Sequence, residues 1–149
     1  MKIYIGADHN GFELKSKLIA ELTRSGYDVV DAGDKELNPE DDFPQFAERA
    51  VRAMQASDDH EAKGILICGS GQGMCMAANR FKGIRASLVW SLEEARAARN
   101  DDDSNILCLP ARYIRADDAL QIAQAFLKTA FAGAPRFKRR IHELDDLGD

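Results

Sequence analysis

The feature that most limits how this chain can fold is an alternation of short β-branched or apolar runs with stretches of helical period. The runs are Lys2 to Gly6, Tyr27 to Asp31, Gly64 to Cys68, Ile84 to Val89 and Asn105 to Leu109. Strands separated by helices cannot pair through tight hairpins, so they run parallel with right-handed crossovers, and helices cover both faces. The pattern predicts a doubly wound, Rossmann-like three-layer α/β/α sandwich around a five-stranded parallel sheet. At 149 residues and 45% hydrophobic content, residues 1–149 have the size of one domain that buries a core without disulfides or metal.

Local signals place the helices. Asn10 can cap the first, Glu13 completes a capping box, and the helix ends near Gly26, with Leu14, Leu18 and Leu22 as its buried stripe. Pro44 suits the first turn of the second, where Ala47, Ala50, Val51 and Met54 share a face. A capping box from Ser91 to Glu94 opens the fourth, and Ala119, Ile122, Ala123 and Phe126 mark the fifth. A final helix over 135–145 carries Arg136 and Arg140.

Charge and cysteine usage exclude several classes. Twenty basic against 25 acidic residues give a net charge of −5, and no long basic stretch precedes Arg136 to Arg140, so nucleic-acid binding is not expected. The start has no signal-peptide pattern and no run of 18 apolar residues occurs, which predicts a soluble, cytoplasmic protein without membrane contact. Three cysteines without C-x-x-C spacing argue against a disulfide framework and a zinc site; Cys75 and Cys108 read as core packing. Asp101-Asp102-Asp103 point in different directions and read as a solvated acidic loop rather than a metal site.

In a doubly wound sheet the ligand binds beyond the carboxyl ends of the strands, at a switch in strand order. Two loops there carry most of the chemistry: Gly6-Ala7-Asp8-His9-Asn10-Gly11 and Cys68-Gly69-Ser70-Gly71-Gln72-Gly73-Met74. The glycines let backbone N–H groups approach an anion, either a phosphate or the oxyanion of an enediolate. Cys68 stands where strand meets turn, and a helix N-terminus there favours the thiolate, a competent general base. The second loop lacks the last glycine of G-x-G-x-x-G and has no Gly-Lys-Ser/Thr, so neither a dinucleotide nor a triphosphate is indicated. Asp8 could handle hydroxyl protons and His9 could meet an anion. Arg136 and Arg140, one helical turn apart, can converge on one phosphate.

These segments, together with Ala77-Ala78-Asn79-Arg80-Phe81-Lys82-Gly83-Ile84-Arg85-Ala86, resemble type B ribose-5-phosphate isomerases and the related galactose-6-phosphate isomerase subunits. The resemblance implies aldose–ketose isomerisation through an enediol without metal or organic cofactor, in a homodimer or homotetramer with sites between subunits. It implies Cys68 as the base, Ser70 as a hydroxyl assisting proton transfer, and the backbone of Gly69, Gly71, Gly73 and Met74 as the anion hole. It places Asp8 near the ring oxygen and His9, Arg112, Arg136 and Arg140 on the phosphate. One type of galactose-6-phosphate isomerase subunit lacks the Cys-Gly-x-Gly loop, which this chain keeps.

Two departures face the sugar. Many members carry His-Asn-Asp before the last strand and use that histidine to open the ring. Here an ungapped alignment brings Asp101 and Asp102 to that place and a gapped one brings Arg99-Asn100, so ring opening falls to Asp8, Asp101 or water. Phe43 replaces a tyrosine that many members place near the sugar. Ribose 5-phosphate is the expected substrate and a hexose 6-phosphate (allose or galactose) the alternative. A sugar-phosphate-binding module without turnover and a flavodoxin-like mononucleotide domain are the competing classes.

Overall fold

The computed structural model of the chain describes residues 1–148. Its first half runs β1 (Lys2–Ala7), α1 (Phe12–Arg24), β2 (Asp28–Asp31), α2 (Phe43–Gln55), β3 (Lys63–Cys68) and α3 (Gln72–Ala78). The second half runs β4 (Ala86–Leu88), α4 (Leu92–Asp102), β5 (Ile106–Pro110), α5 (Ala116–Lys128) and α6 (Pro135–Asp145). The strands form one parallel sheet in the order β2-β1-β3-β5-β4. No helix of the described residues is long and apolar enough to cross a membrane.

Because side chains alternate along a strand, each central strand feeds two cores. Ile3, Ile5 and Ala7 of β1, Ile65 and Ile67 of β3, and Leu107 and Leu109 of β5 pack with α1, α4 and α5 on one face. Leu66 and Cys68 of β3 and Ile106 and Cys108 of β5 pack with α2 and α3 on the other. The three-layer sandwich expected from the alternation is present.

Local details differ from the sequence expectations in three places. α1 is not capped by Asn10: its N-cap is Gly11, with no side-chain cap. The Asp8 carboxylate accepts the N–H groups of Asn10 and Gly11 at 3.0 and 3.2 Å, so the chain stays in a tight turn before entering the helix. β4 is shorter than Ile84 to Val89, because Arg85 N–H donates to the side chain of Asn105 at 2.8 Å instead of to a strand neighbour. Asp101 and Asp102 belong to the last turn of α4, and Asp103 caps it at φ 47°. Carboxylates at a helix C-terminus are unfavourable. Arg99 and Arg85 offset them by binding Asp103, at 2.7 and 3.4 Å.

Phe126 of α5 is fully buried, and the Arg99 guanidinium lies 5.8 Å from its ring centroid. Phe126→Ala should therefore lower stability by about 3–5 kcal/mol, read as a lower urea midpoint with an unchanged slope.

Candidate active site

The sheet order reverses direction between β1 and β3: β2 lies on the far side of β1, while β5 and β4 lie beyond β3. After β1 the chain turns to α1 on one face, and after β3 to α3 on the other, so the two loops diverge and leave a crevice at the strands' carboxyl ends. Asp8 and His9 enter it from β1, and Cys68 to Met74 from β3. Phe43 comes from the start of α2, and Arg112 from the turn after β5.

Asp8 is 5% exposed, and its carboxylate is held by the two amides that shape the first loop. His9 is fixed by Asp41, whose Oδ1 accepts from the His9 backbone N–H at 2.9 Å and from Nδ1 at 2.8 Å. The hydrogen bond to Asp41 raises the His9 pKa above its usual range; partial burial opposes it and the charge of Asp8 adds to it.

The second loop is shaped by close approach. Gly71 sits at φ +75°, where a Cβ would lie 2.5 Å from Leu88 Cδ1. At Gly73 a Cβ would lie 2.7 Å from Phe43 Cζ, so the Phe43 ring rests directly on that backbone. The Arg112 guanidinium lies over Gly69, whose carbonyl accepts the Arg112 N–H at 2.9 Å. Ser70 Oγ accepts from Gln72 N–H at 3.3 Å. α3 spans only seven residues, so what its N-terminus offers is the amides of its first turn more than an extended dipole.

Cys68 is 5% exposed and packs with Met74 and Cys108. Cys75 packs against the same core, as expected, and its thiol donates to the Ala86 carbonyl at 3.3 Å. Contact with Cys108 lowers the Cys75 pKa to about 7 against burial, while the same contact and burial push Cys108 well up. Among the described residues, no three His, Cys, Asp or Glu side chains are grouped to hold a metal ion.

The remaining expected residues lie elsewhere. α4 returns antiparallel to the strands, so Asn100, Asp101 and Asp102 at its end stand at the sheet's amino edge. α6 joins them there: Ala132 N–H donates to the Asn100 carbonyl at 3.1 Å, and Arg85, just before β4, pairs with Asp145 at 3.6 Å. Burial and the charge of Asp101 raise the Asp102 pKa, and Arg140 of α6 opposes them. β3 separates the two edges by about 20 Å at ~3.3 Å per residue. One chain thus brings together Asp8, His9, Phe43, Cys68 to Met74 and Arg112, and keeps Asn100, Asp101, Asp102, Arg136 and Arg140 apart from them. Two sizeable clefts, of about 830 and 590 Å³, lie on the amino side, and Cys68 lines neither.

A buried thiol at the foot of an amide-lined turn, flanked by a carboxylate, a histidine and an arginine, is the layout of an enzyme for a small anionic substrate. The family described as Ribose/Galactose Isomerase matches residues 3–144, and the chain belongs to it. A probable ribose-5-phosphate isomerase B of Mycoplasma pneumoniae is 44% identical over 92% of this chain and 89% of its own length. The ribose 5-phosphate isomerase structure from Thermotoga maritima superposes with a TM-score of 0.92 at 41% identity, covering 98% of each chain. The Mycoplasma genitalium ribose-5-phosphate isomerase B structure with bound ribulose-5-phosphate gives 0.90 at 39% identity, over 97% of this chain and 93% of that one.

Sequence reading missed Asp41. Its only signal was its place after β2, at the same sheet edge as His9. Gly71→Ala combines a left-handed φ with a clash on Leu88, so it should cost about 1–3 kcal/mol of stability, measurable by urea unfolding.

Proposed function

We propose that residues 1–149 act as one isomerase domain interconverting ribose 5-phosphate and ribulose 5-phosphate, with Cys68 as the base. The observation that carries this reading is the buried Cys68 thiol at the foot of the amide-lined turn, where the neighbouring strand gives way to Asp8. The thiolate takes the proton from C2 of the open-chain aldose. The electron pair becomes the enediolate, and the resulting thiol returns the proton to C1 to give the ketose. The N–H groups of Gly69, Gly71, Gly73 and Met74 meet the charge that develops on oxygen, a contribution of about 10²–10³ in rate per well-aimed donor. Ser70 moves a proton between O1 and O2, and Asp8 serves the ring oxygen. Phe43 packs against the sugar, and His9 and Arg112 bind the phosphate.

The other half of the site comes from a second copy. Its Arg136 and Arg140 complete the phosphate grip, and its Asp101, with Asn100 and Asp102 beside it, approaches the sugar ring to open it. Supporting this, α6 buries none of its side chains within its own chain, although it carries both arginines. A homodimer is the smallest assembly that completes two such sites, and a homotetramer repeats them. A reducing, cytoplasmic setting keeps the Cys68 thiol free. Phe43, with no hydroxyl to offer a pentose, also suits a hexose 6-phosphate such as allose or galactose 6-phosphate as the second substrate class.

The test is conversion of ribose 5-phosphate in the presence of EDTA. Cys68→Ala should lose about 10²–10⁴ of the rate while keeping its far-ultraviolet circular dichroism. Mixing inactive Cys68→Ala subunits with inactive Arg136→Ala/Arg140→Ala subunits, then unfolding and refolding them together, should restore part of the activity, since one site of each hybrid is intact. A wild type inactive on ribose 5-phosphate and on both hexose 6-phosphates would leave a sugar-phosphate-binding module in its place.

A further inference from the structure

Asp41 has no part in the chemistry just described, yet its side chain is only 7% exposed and turns one oxygen entirely to one neighbour. A single oxygen, Oδ1, takes two hydrogen bonds from His9, one from the backbone N–H and one from ring Nδ1. A carboxylate can only accept, so Nδ1 must carry its proton here. The double contact fixes the imidazole relative to its own backbone and leaves Nε2 as its only uncommitted ring atom.

The loop that carries Asp41 is itself tied down at its start. Lys15 of α1, 1% exposed, donates to both oxygens of Asp31 at 2.9 and 3.1 Å and to the Asp34 carbonyl. The β2–α2 loop is therefore held to α1 at one end and to the β1 loop at the other. Phe43, on the same stretch of chain, is seated on Gly73.

We propose that Asp41 is a positioning residue of this site: its carboxylate locks His9 through Nδ1–H and the backbone N–H, so that Nε2–H is the fixed donor offered to the substrate's phosphate. This rests on the reading that His9 meets the phosphate.

The lock has an electrostatic side. A neutral ring with its proton on Nδ1 presents a bare Nε2, which repels an oxyanion, so with Nδ1–H held by Asp41 only the doubly protonated ring donates to one. The carboxylates acting on the ring are Asp41, from the β2–α2 loop, and Asp8, from the end of β1; both favour the cation, and Asp41 dominates through its hydrogen bond. Arg112, from the turn after β5, is directed to Gly69 and Asn10, with Nη2 3.5 Å from Asn10 Oδ1. The charged ring is present below the raised pKa of His9 and is lost as pH climbs through it, so phosphate binding weakens on the alkaline side. Without the Asp41 charge, that weakening moves to lower pH.

The experiment compares wild type, Asp41→Asn and Asp42→Asn. The last makes the same change of charge at the adjacent, exposed N-cap of α2, whose side chain makes no cap hydrogen bond. The His9 imidazole is followed by nuclear magnetic resonance against pH, its signal assigned by its absence in His9→Gln. KM for ribose 5-phosphate is measured over the same range. In Asp41→Asn the His9 midpoint should fall, and the rise of KM with pH should begin correspondingly lower. KM near neutral pH should increase roughly tenfold, as for the loss of one charged hydrogen bond, with kcat within about threefold. Asp42→Asn should leave both readouts in place. An unchanged His9 midpoint in Asp41→Asn, or a shifted midpoint with a KM profile identical to wild type, overturns the proposal. So does an equal effect from Asp42→Asn. The resonance titration needs no turnover: a protein inactive on sugar phosphates with a lowered His9 midpoint in Asp41→Asn sinks the isomerase reading and keeps the lock. In that case inorganic phosphate replaces substrate, and equal affinity of wild type and Asp41→Asn overturns the phosphate-facing role.

Discussion

The register of β1 against β3 is the constraint on which the candidate site depends. Ala7 pairs with Ile67, and just beyond them Asp8 N–H donates to the Ile67 carbonyl at 3.3 Å before the two chains part to opposite faces. A slip of one residue would turn Ile3, Ile5 and Ala7 out of the core shared with α1 and α5. It would also carry Asp8 and His9 away from the Cys68 turn. The two apolar cores therefore do more than stabilise the sheet, because they hold the loops of β1 and β3 side by side.

Most of this architecture was legible because the alternation of periods leaves few topologies open. The Ser91 cap was readable too, and in the structure its hydroxyl accepts Glu94 N–H at 3.2 Å. What escaped depended on partners distant in sequence. Asn10 has the composition of a cap, yet Asp8 takes the amides first. The β4 boundary turns on the side chain of Asn105. Asp41 lies 32 residues from His9, and nothing in its immediate neighbours marks it. Likewise the unbroken Asp101 to Asp103 run looks like a loop until Arg85 and Arg99 are seen beside it.

The two edges of the sheet differ in how they are held. At the carboxyl edge, close backbone packing at Gly71 and Gly73 and the short contacts of Asp8 and His9 set the positions. At the amino edge the cohesion is largely ionic: Arg99 and Arg85 share Asp103, Asp145 meets Arg85, and Arg140 faces Asp102. Exposed ion pairs are screened by salt, whereas close packing is not. α6 rests on that edge without burying a side chain, so screening acts on the pair its Asp145 makes with Arg85.

The lowered thiol of Cys75 bears on how the chain responds to electrophiles. Contact with Cys108 lowers its pKa to about 7, and it is half-buried, whereas Cys68 is 5% exposed and Cys108 fully buried. An alkylating reagent or a mild oxidant therefore meets a nucleophile on α3, immediately behind the amide-lined turn. Modification there would push on Cys108 and the turn from within the core. Loss of activity after such treatment would therefore report on Cys75 as well as on Cys68.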